Sequence, residues 1–317
     1  MQRAAEEGRR WLGATSPNPP VGAAALDENG NILAVAAHKR AGEDHAEAAL
    51  LKLCREQNSL ARVHTLCVTL EPCNHHGRTP PCSEAIIEAG IRHVAIGVAD
   101  PNPRVAGGGA ARLREAGITV TENIESDLCH RLIHAFEFHA RAGRPFVTVK
   151  RAFDASGSMI PPAGQKTFSS PDQLTLAHRL RKKADAILTG SGTILADNPL
   201  FTVRNVPDFD KNRVLGVFDR RNRVSQAWFD SAATRNLLPI RYFGLDEAFS
   251  DLQKRSVQDV LVETGPVLSE SILESPFWTL LVDIHAGEPD KLTYRFNPEA
   301  NLPFNTNTLD IDSLLLL

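Results

Sequence analysis

Apolar positions along the chain switch between a helical and a two-residue period, and these switches lay out the predicted elements. Residues 2–12 repeat with helical spacing and stop at Gly13. Ala23–Leu26 and Ile32–Ala36 are short apolar runs on either side of Asp27-Glu-Asn-Gly-Asn31, the composition of a turn between two strands. From His45 to about Gln57 a helix is predicted, because Ala46, Ala49, Leu50 and Leu53 share one face. Val63–Leu70 reads as a strand that runs into Glu71-Pro72-Cys73. Ser83 is the expected cap of a helix reaching about Ala89, with Gly90 as its stop. Val94–Val98 and Thr119–Glu122 are predicted strands, Ala110–Ala116 and Asp127–Ala142 predicted helices.

Beyond Gly143-Arg-Pro145 the pattern restarts. Pro145–Lys150 is strand-like, Ser170 opens a helix to about Lys183, and Ala186–Thr189 is a strand leading into Gly190-Ser-Gly-Thr193. Further strands are expected at Val214–Phe218, Ile240–Phe243 and Val257–Val262, and a helix at about Ser269–Glu274. Strands interleaved with helices imply an α/β architecture in both halves. A chain of 317 residues exceeds one typical core, so two domains are expected, 1–143 and 144–317.

Composition narrows the partners. At 42% hydrophobic and 23% charged residues with a net charge of −3, the chain reads as globular with no evident basic face, which argues against a polynucleotide substrate. No apolar run approaches the roughly 20 residues of a membrane span, and the polar N-terminus lacks a signal-peptide core. Five cysteines, an odd and sparse set, argue for a reducing cytoplasm. Cys54, Cys67 and Cys129 read as small buried hydrophobes.

The other two cysteines carry chemistry. His45-Ala46-Glu47 followed by Pro72-Cys73 and Pro81-Cys82 has the form H-x-E with two Pro-Cys pairs. One imidazole and two thiolates can hold zinc and leave its fourth position to water. Glu47, two residues from the His, would sit beside that water without ligating, which suits hydrolytic deamination. A purely structural zinc module needs neither the open position nor the glutamate. A cytidine or tRNA-adenosine deaminase fits less well, because the loop between Cys73 and Cys82 is eight residues long in place of two. Asn18, held between prolines in Thr15-Ser-Pro-Asn-Pro-Pro-Val-Gly22, could aim an amide at a ligand or lie in a plain connector. His76 and Arg78, between the cysteines, suit a pocket mouth or a substrate phosphate. In the second half, strand, glycine turn and helix suit a dinucleotide pyrophosphate, although Gly190-x-Gly192 is shorter than the dinucleotide fingerprint.

T-S-P-N-P-P-V-G, H-A-E, T-L-E-P-C-N-H-H-G-R-T-P-P-C and D-P-N-P-R-V-A-G-G-G-A-A-R-L-R-E-A-G-I together resemble the N-terminal half of the bifunctional riboflavin-biosynthesis deaminase/reductases. R-P-F-V-T-V-K, A-D-A-I-L-T-G-S-G-T-I-L-A-D-N-P-L-F-T-V-R and V-E-T-G-P-V-L resemble their reductase half. The resemblance implies a cytidine-deaminase-like three-layer domain followed by a dihydrofolate-reductase-like domain, in a homo-oligomer. It implies zinc on His45, Cys73 and Cys82, proton transfer by Glu47, and deamination at the 2-amino position of a diaminohydroxypyrimidine bearing a phosphoribosylamino group. Asn18 would be a pocket residue. NADPH would then reduce the ribosyl group to ribityl, with Asp197, Leu200, Arg204 and Glu263 at the substrate, Lys150 in the pocket, and Thr193, Asp197 and Gly265 at the cofactor.

Three stretches depart from the family's usual pattern. S-L-D-G appears as Asp154-Ala-Ser-Gly157, W-I-T-S as Thr167-Phe-Ser-Ser170, and E-G-G-P as Glu263-Thr-Gly-Pro266. Leu280–Leu317 does not match the usual ending. Two readings of the second half therefore stand side by side: a working reductase, or a reductase-like scaffold attached to a deaminase of a related pyrimidine pathway.

Overall fold

The computed structural model describes residues 1–75, 80–102, 107–160, 170–287 and 290–302. The chain divides after Arg141 into two compact units.

The first unit runs α1 (Gln2–Arg9), β1 (Gly22–Leu26), β2 (Ile32–Ala37), α2 (Ala46–Glu56), β3 (Thr65–Leu70), α3 (Cys82–Glu88), β4 (His93–Val98), α4 (Gly108–Glu115), β5 (Thr119–Thr121) and α5 (Ser126–Ala142). Its five-stranded sheet has the order β2-β1-β3-β4-β5. β1 is antiparallel to β2 and β3, and β3, β4 and β5 are parallel. The β1–β2 turn is closed by Asp27, whose carboxylate accepts the backbone N–H groups of Asn29 and Asn31. The two-residue period sorts side chains between the sheet faces. Ala23, Ala25, Leu66, Val68, Val94 and Ile96 join the core with Leu50, Leu51 and Ile86, whereas Ala24, Cys67 and Ala95 pack with Ala4 of α1. α1 lies so close to β1 that a Cβ on Gly22 would meet the Ala4 carbonyl oxygen at 1.8 Å.

Two expectations shift here. α1 ends at Arg9, because residues 10–12 tighten into i→i−3 bonds before Gly13 turns left-handed. Ser83 does not cap α3. Pro81 occupies that position, Cys82 opens the helix, and the Ser83 hydroxyl donates to Asn74 Oδ1 at 2.8 Å instead.

The second unit contains β6 (Phe146–Phe153), α6 (Pro171–Lys183), β7 (Ala186–Gly190), α7 (Ser191–Asp197), β8 (Arg213–Phe218), α8 (Gln226–Ala233), β9 (Leu237–Tyr242), α9 (Leu245–Lys254), β10 (Asp259–Glu263), α10 (Pro266–Leu273), β11 (Leu280–His285) and β12 (Lys291–Phe296). The strand order is β12-β11-β6-β10-β7-β8-β9, parallel except for β12. Both faces are covered, as parallel sheets require. On β7, Ala186 and Leu188 pack with Phe249 of α9 and Ile272 of α10, while Ile187 faces Ile194 and Phe229. Ser170 caps α6 as expected, accepting from Gln173 N.

The segment after Leu280 that lacks the family's usual wording still supplies two strands, β11 pairing with β6 along its length. The glycine stretch after β7 is not an extended turn: the helix α7 begins at Ser191, directly after the strand. Among the described residues, no helix is long and apolar enough to cross a membrane.

Candidate active sites

His45 occupies the N-cap position of α2 in an extended backbone conformation, so its ring projects from the start of the helix. Cys82 opens α3, and Cys73 lies in the loop that follows β3. His45 Nδ1 is 3.6 Å from Cys73 Sγ and 3.4 Å from Cys82 Sγ. Tetrahedral zinc with ordinary Zn–N and Zn–S bonds separates such atoms by about 3.6 Å. The three donors therefore fit one zinc ion, and among the described residues they form a single His/Cys cluster. His75 lies outside that cluster. His76 and Arg78 lie outside the described residues.

The electrostatics of the donors follow from their contacts. Cys73 is held down to about 4, first because Cys82 hydrogen-bonds to it and then because His45 does, against the effect of burial. Its sulfur also accepts the Cys82 backbone N–H at 3.4 Å. The side-chain hydrogen bond between the two thiols, with burial, pushes the Cys82 thiol up. His45 is raised, chiefly by its hydrogen bond to Cys73. Glu47, in the first turn of α2 and 3% exposed, is pushed up to about 7 by burial, and it hydrogen-bonds to Cys82. A bound cation would act in the opposite direction.

Two neighbours hold this arrangement. His38, buried just after β2, shares a hydrogen bond between its Nδ1 and the Asp44 carbonyl at 3.0 Å and packs edge-on against the His45 ring. With Nδ1 protonated for that bond, Nε2 accepts from Asn18 Nδ2 at 3.1 Å and orients the amide. Asn18 is thereby linked to the metal site. Glu71, two residues before Cys73, is buried and accepts four backbone N–H groups, those of Asp100, Gly107, Gly109 and Ala110. Its charge sits at the N-terminus of α4, where the helix dipole favours an anion. The approach is tight, since a Cβ on Gly109 would lie 1.9 Å from the Pro72 carbonyl oxygen.

In the second unit, Lys150 and Glu263 are register partners on adjacent parallel strands. Lys150 Nζ lies 3.8 Å from Glu263, and Arg181 of α6 binds both oxygens of the same carboxylate at 2.6 and 3.2 Å. Burial pushes Glu263 up, but Arg181 and Lys150 outweigh it and leave the carboxyl below its usual range. Lys150 is lowered by burial and by Arg181 despite Glu263. Thr193 Oγ1 accepts the Gly265 backbone N–H at 3.2 Å, joining two of the three expected cofactor residues. Gly192 faces open space, whereas a Cβ on Gly265 would meet Thr193 Oγ1 at 3.8 Å, an ordinary contact. Asp197 is exposed one turn after Thr193 on α7, and among the described residues it pairs with no member of the Lys150 cluster. Leu200 and Arg204 are exposed on the loop that follows.

Residues 1–98 match the family described as the cytidine and deoxycytidylate deaminase zinc-binding region, and residues 145–277 match the RibD C-terminal domain. The riboflavin biosynthesis protein RibD of Bacillus amyloliquefaciens is 35% identical over 94% of this chain and 83% of its own length. That of Escherichia coli is 34% identical over 87% of this chain and 83% of its own. The chain belongs to the RibD family.

A solved deaminase/reductase of this kind from Thermotoga maritima superposes with a TM-score of 0.79 at 32% identity, covering 90% of this chain and 85% of that one. Within the RibD frame, three residues that sequence reasoning did not single out are His38, Glu71 and Arg181. His38 directly follows an apolar strand, which is a weak signal. Glu71 is a carboxylate at the end of a buried strand, where an unpaired charge is costly, and that position was the legible clue.

Proposed function

We propose that the first unit is the deaminase domain and the second the reductase domain of a bifunctional RibD enzyme. The observation that carries the first assignment is the His45–Cys73–Cys82 triangle with buried Glu47 hydrogen-bonded to one of its sulfurs. A zinc ion held by His45, Cys73 and Cys82 would supply Lewis acidity toward water. Glu47 would carry one proton of the attacking water to the pyrimidine ring nitrogen and the second, from the added hydroxyl, to the departing amine. Water oxygen becomes the new carbonyl and ammonia leaves. Asn18, oriented by His38, offers its amide to the ring. The substrate is the diaminohydroxyphosphoribosylaminopyrimidine named for the Thermotoga relative.

For the second unit, NADPH supplies the hydride that opens the ribosyl group of the aminouracil product. Lys150 is the cation beside the reacting ribose, Glu263 and Arg204 position the sugar and its phosphate, and Leu200 packs on it. Thr193, Gly265 and Asp197 line the cofactor side. Two departures from the family pattern support a working site. Thr264 Oγ1 would lie 3.4 Å from a Cβ on Gly190, an ordinary contact distance, so its added side chain is accommodated without crowding. Asp154 spends its carboxylate on Ser156 and Ser158 within its own turn.

The test is mass analysis of products from the phosphoribosylaminopyrimidine with and without NADPH. We expect exchange of an amine for oxygen without cofactor, and a further gain of two hydrogens with it. Deaminated product alone in both arms contradicts the reductase assignment, and unchanged substrate contradicts both.

A further inference from the structure

The loop that carries Leu200 and Arg204 is held against its own backbone preferences. Asn198 has φ 43° and Phe201 φ 55°, both in the left-handed region, and a bulky residue such as phenylalanine occupies it only under constraint. Part of the constraint is apolar. The Phe201 ring is buried with Ile187, Ile194 and Leu215, which leaves its neighbour Leu200 facing outward. The rest comes from α6. Arg181 donates to the Thr202 carbonyl at 3.3 Å while it grips Glu263. His178, one turn earlier on α6 and 2% exposed, accepts the Arg204 backbone N–H on Nδ1 at 3.0 Å. The same ring is hydrogen-bonded to the Thr202 backbone. One imidazole thus serves the loop as a neighbouring strand would, at both Thr202 and Arg204.

The consequence falls on Arg204. Its guanidinium donates to the neutral Thr202 hydroxyl at 2.7 Å, and among the described residues it pairs with no carboxylate. Its charge is therefore left for an anionic ligand, aimed by a backbone that His178 anchors.

We propose that His178 is a positioning residue of the reductase site, holding the loop 198–204 so that Leu200 and Arg204 meet a ribosyl phosphate substrate. The inference rests on the reductase reading of the second unit. Nδ1 acts as acceptor only in the neutral ring with the proton on Nε2. Burial, together with the charges of Arg181 and Arg204, depresses the His178 pKa to about 4 and so keeps that form.

The experiment uses the full chain with H178L and H178Q. Leucine fills the site but offers neither acceptor nor donor, whereas the glutamine amide offers both. Measured are KM and kcat for NADPH-dependent reduction of the phosphoribosylaminouracil, NADPH affinity by fluorescence titration, and ammonia release by the deaminase. Losing an anchoring hydrogen bond corresponds to a change of about tenfold. H178L should therefore raise KM about tenfold or more while kcat, NADPH affinity and ammonia release stay within about threefold. H178Q should return KM to within about threefold of wild type, and this arm decides the matter if H178L does not fold. A wild-type KM in H178L, equal impairment of both variants, or a parallel loss of NADPH affinity overturns the role of His178. A wild-type enzyme that reduces nothing overturns the reductase reading, and the proposal with it.

Discussion

The Glu71 carboxylate accepts the backbone N–H groups of both Gly109 and Ala110, at 3.1 and 3.0 Å. Through that pair of bonds the loop bearing Cys73 is fastened to the first turn of α4. The other side of the loop is fastened to α3, where Ser83 N donates to the Cys73 carbonyl. Cys73 is thus positioned by two helix starts rather than by its own loop.

Glu71→Gln tests that fastening. An amide replaces one accepting oxygen with a donor that faces N–H groups, so bonds are lost and a donor is left buried. We expect the first unit to lose about 2 kcal/mol of stability by urea unfolding, and zinc to dissociate faster into a chelator. Wild-type stability with a wild-type zinc off-rate would contradict this.

Glu263→Ala leaves Lys150 and Arg181 as two buried cations without their shared anion. Breaking a buried pair in this way costs about 3–5 kcal/mol, and the loss should appear in the second unit alone. Reduction should disappear while ammonia release persists. Coupled loss of both activities would show that the two units do not act independently.

The pH dependence of the second unit carries the signature of His178. Its folded pKa is lowered to about 4 from the ordinary 6.5, so between these values the unfolded chain binds more protons than the native one. The stability contribution of the neutral ring is present in full above about 6.5 and is lost as the pH falls through that window toward 4. Arg181, Arg204 and Glu263 are the charged groups facing the ring. Urea midpoints at pH 7, 5.5 and 4.5 should fall more steeply for wild type than for H178Q; parallel slopes would exclude the histidine as the cause.

Much of the zinc site was legible because its residues mark local structure. His45 and Glu47 start one helix and Cys82 starts another, so helix-start signals and ligand spacing coincided. Register was not legible. Nothing local says that Lys150 and Glu263 stand opposite each other, since strands 113 positions apart are brought side by side only by the sheet order. Arg181 stands with Lys182 and Lys183 in the basic last turn of α6, and its role depends on that same pairing. A serine just after Pro-Cys has the composition of a cap, yet at Ser83 Asn74 offers the hydroxyl a better partner. The helices α8 and α9 are not among the elements the sequence pattern predicts, although they are as long as α3, α4 and α10, which are. In α9, the buried Ala248, Phe249 and Leu252 do carry helical spacing, but over only three turns.

The most direct test of the account is zinc content measured together with ammonia release in Glu47→Gln. The ligands His45, Cys73 and Cys82 are untouched by this change, and only the proton carrier is removed. We expect close to one zinc per chain, as in wild type, and ammonia release lowered by about a hundredfold or more, within the range that a positioned general acid–base group supplies. Retention of zinc with a near wild-type rate would contradict the central claim that Glu47 moves the protons of deamination.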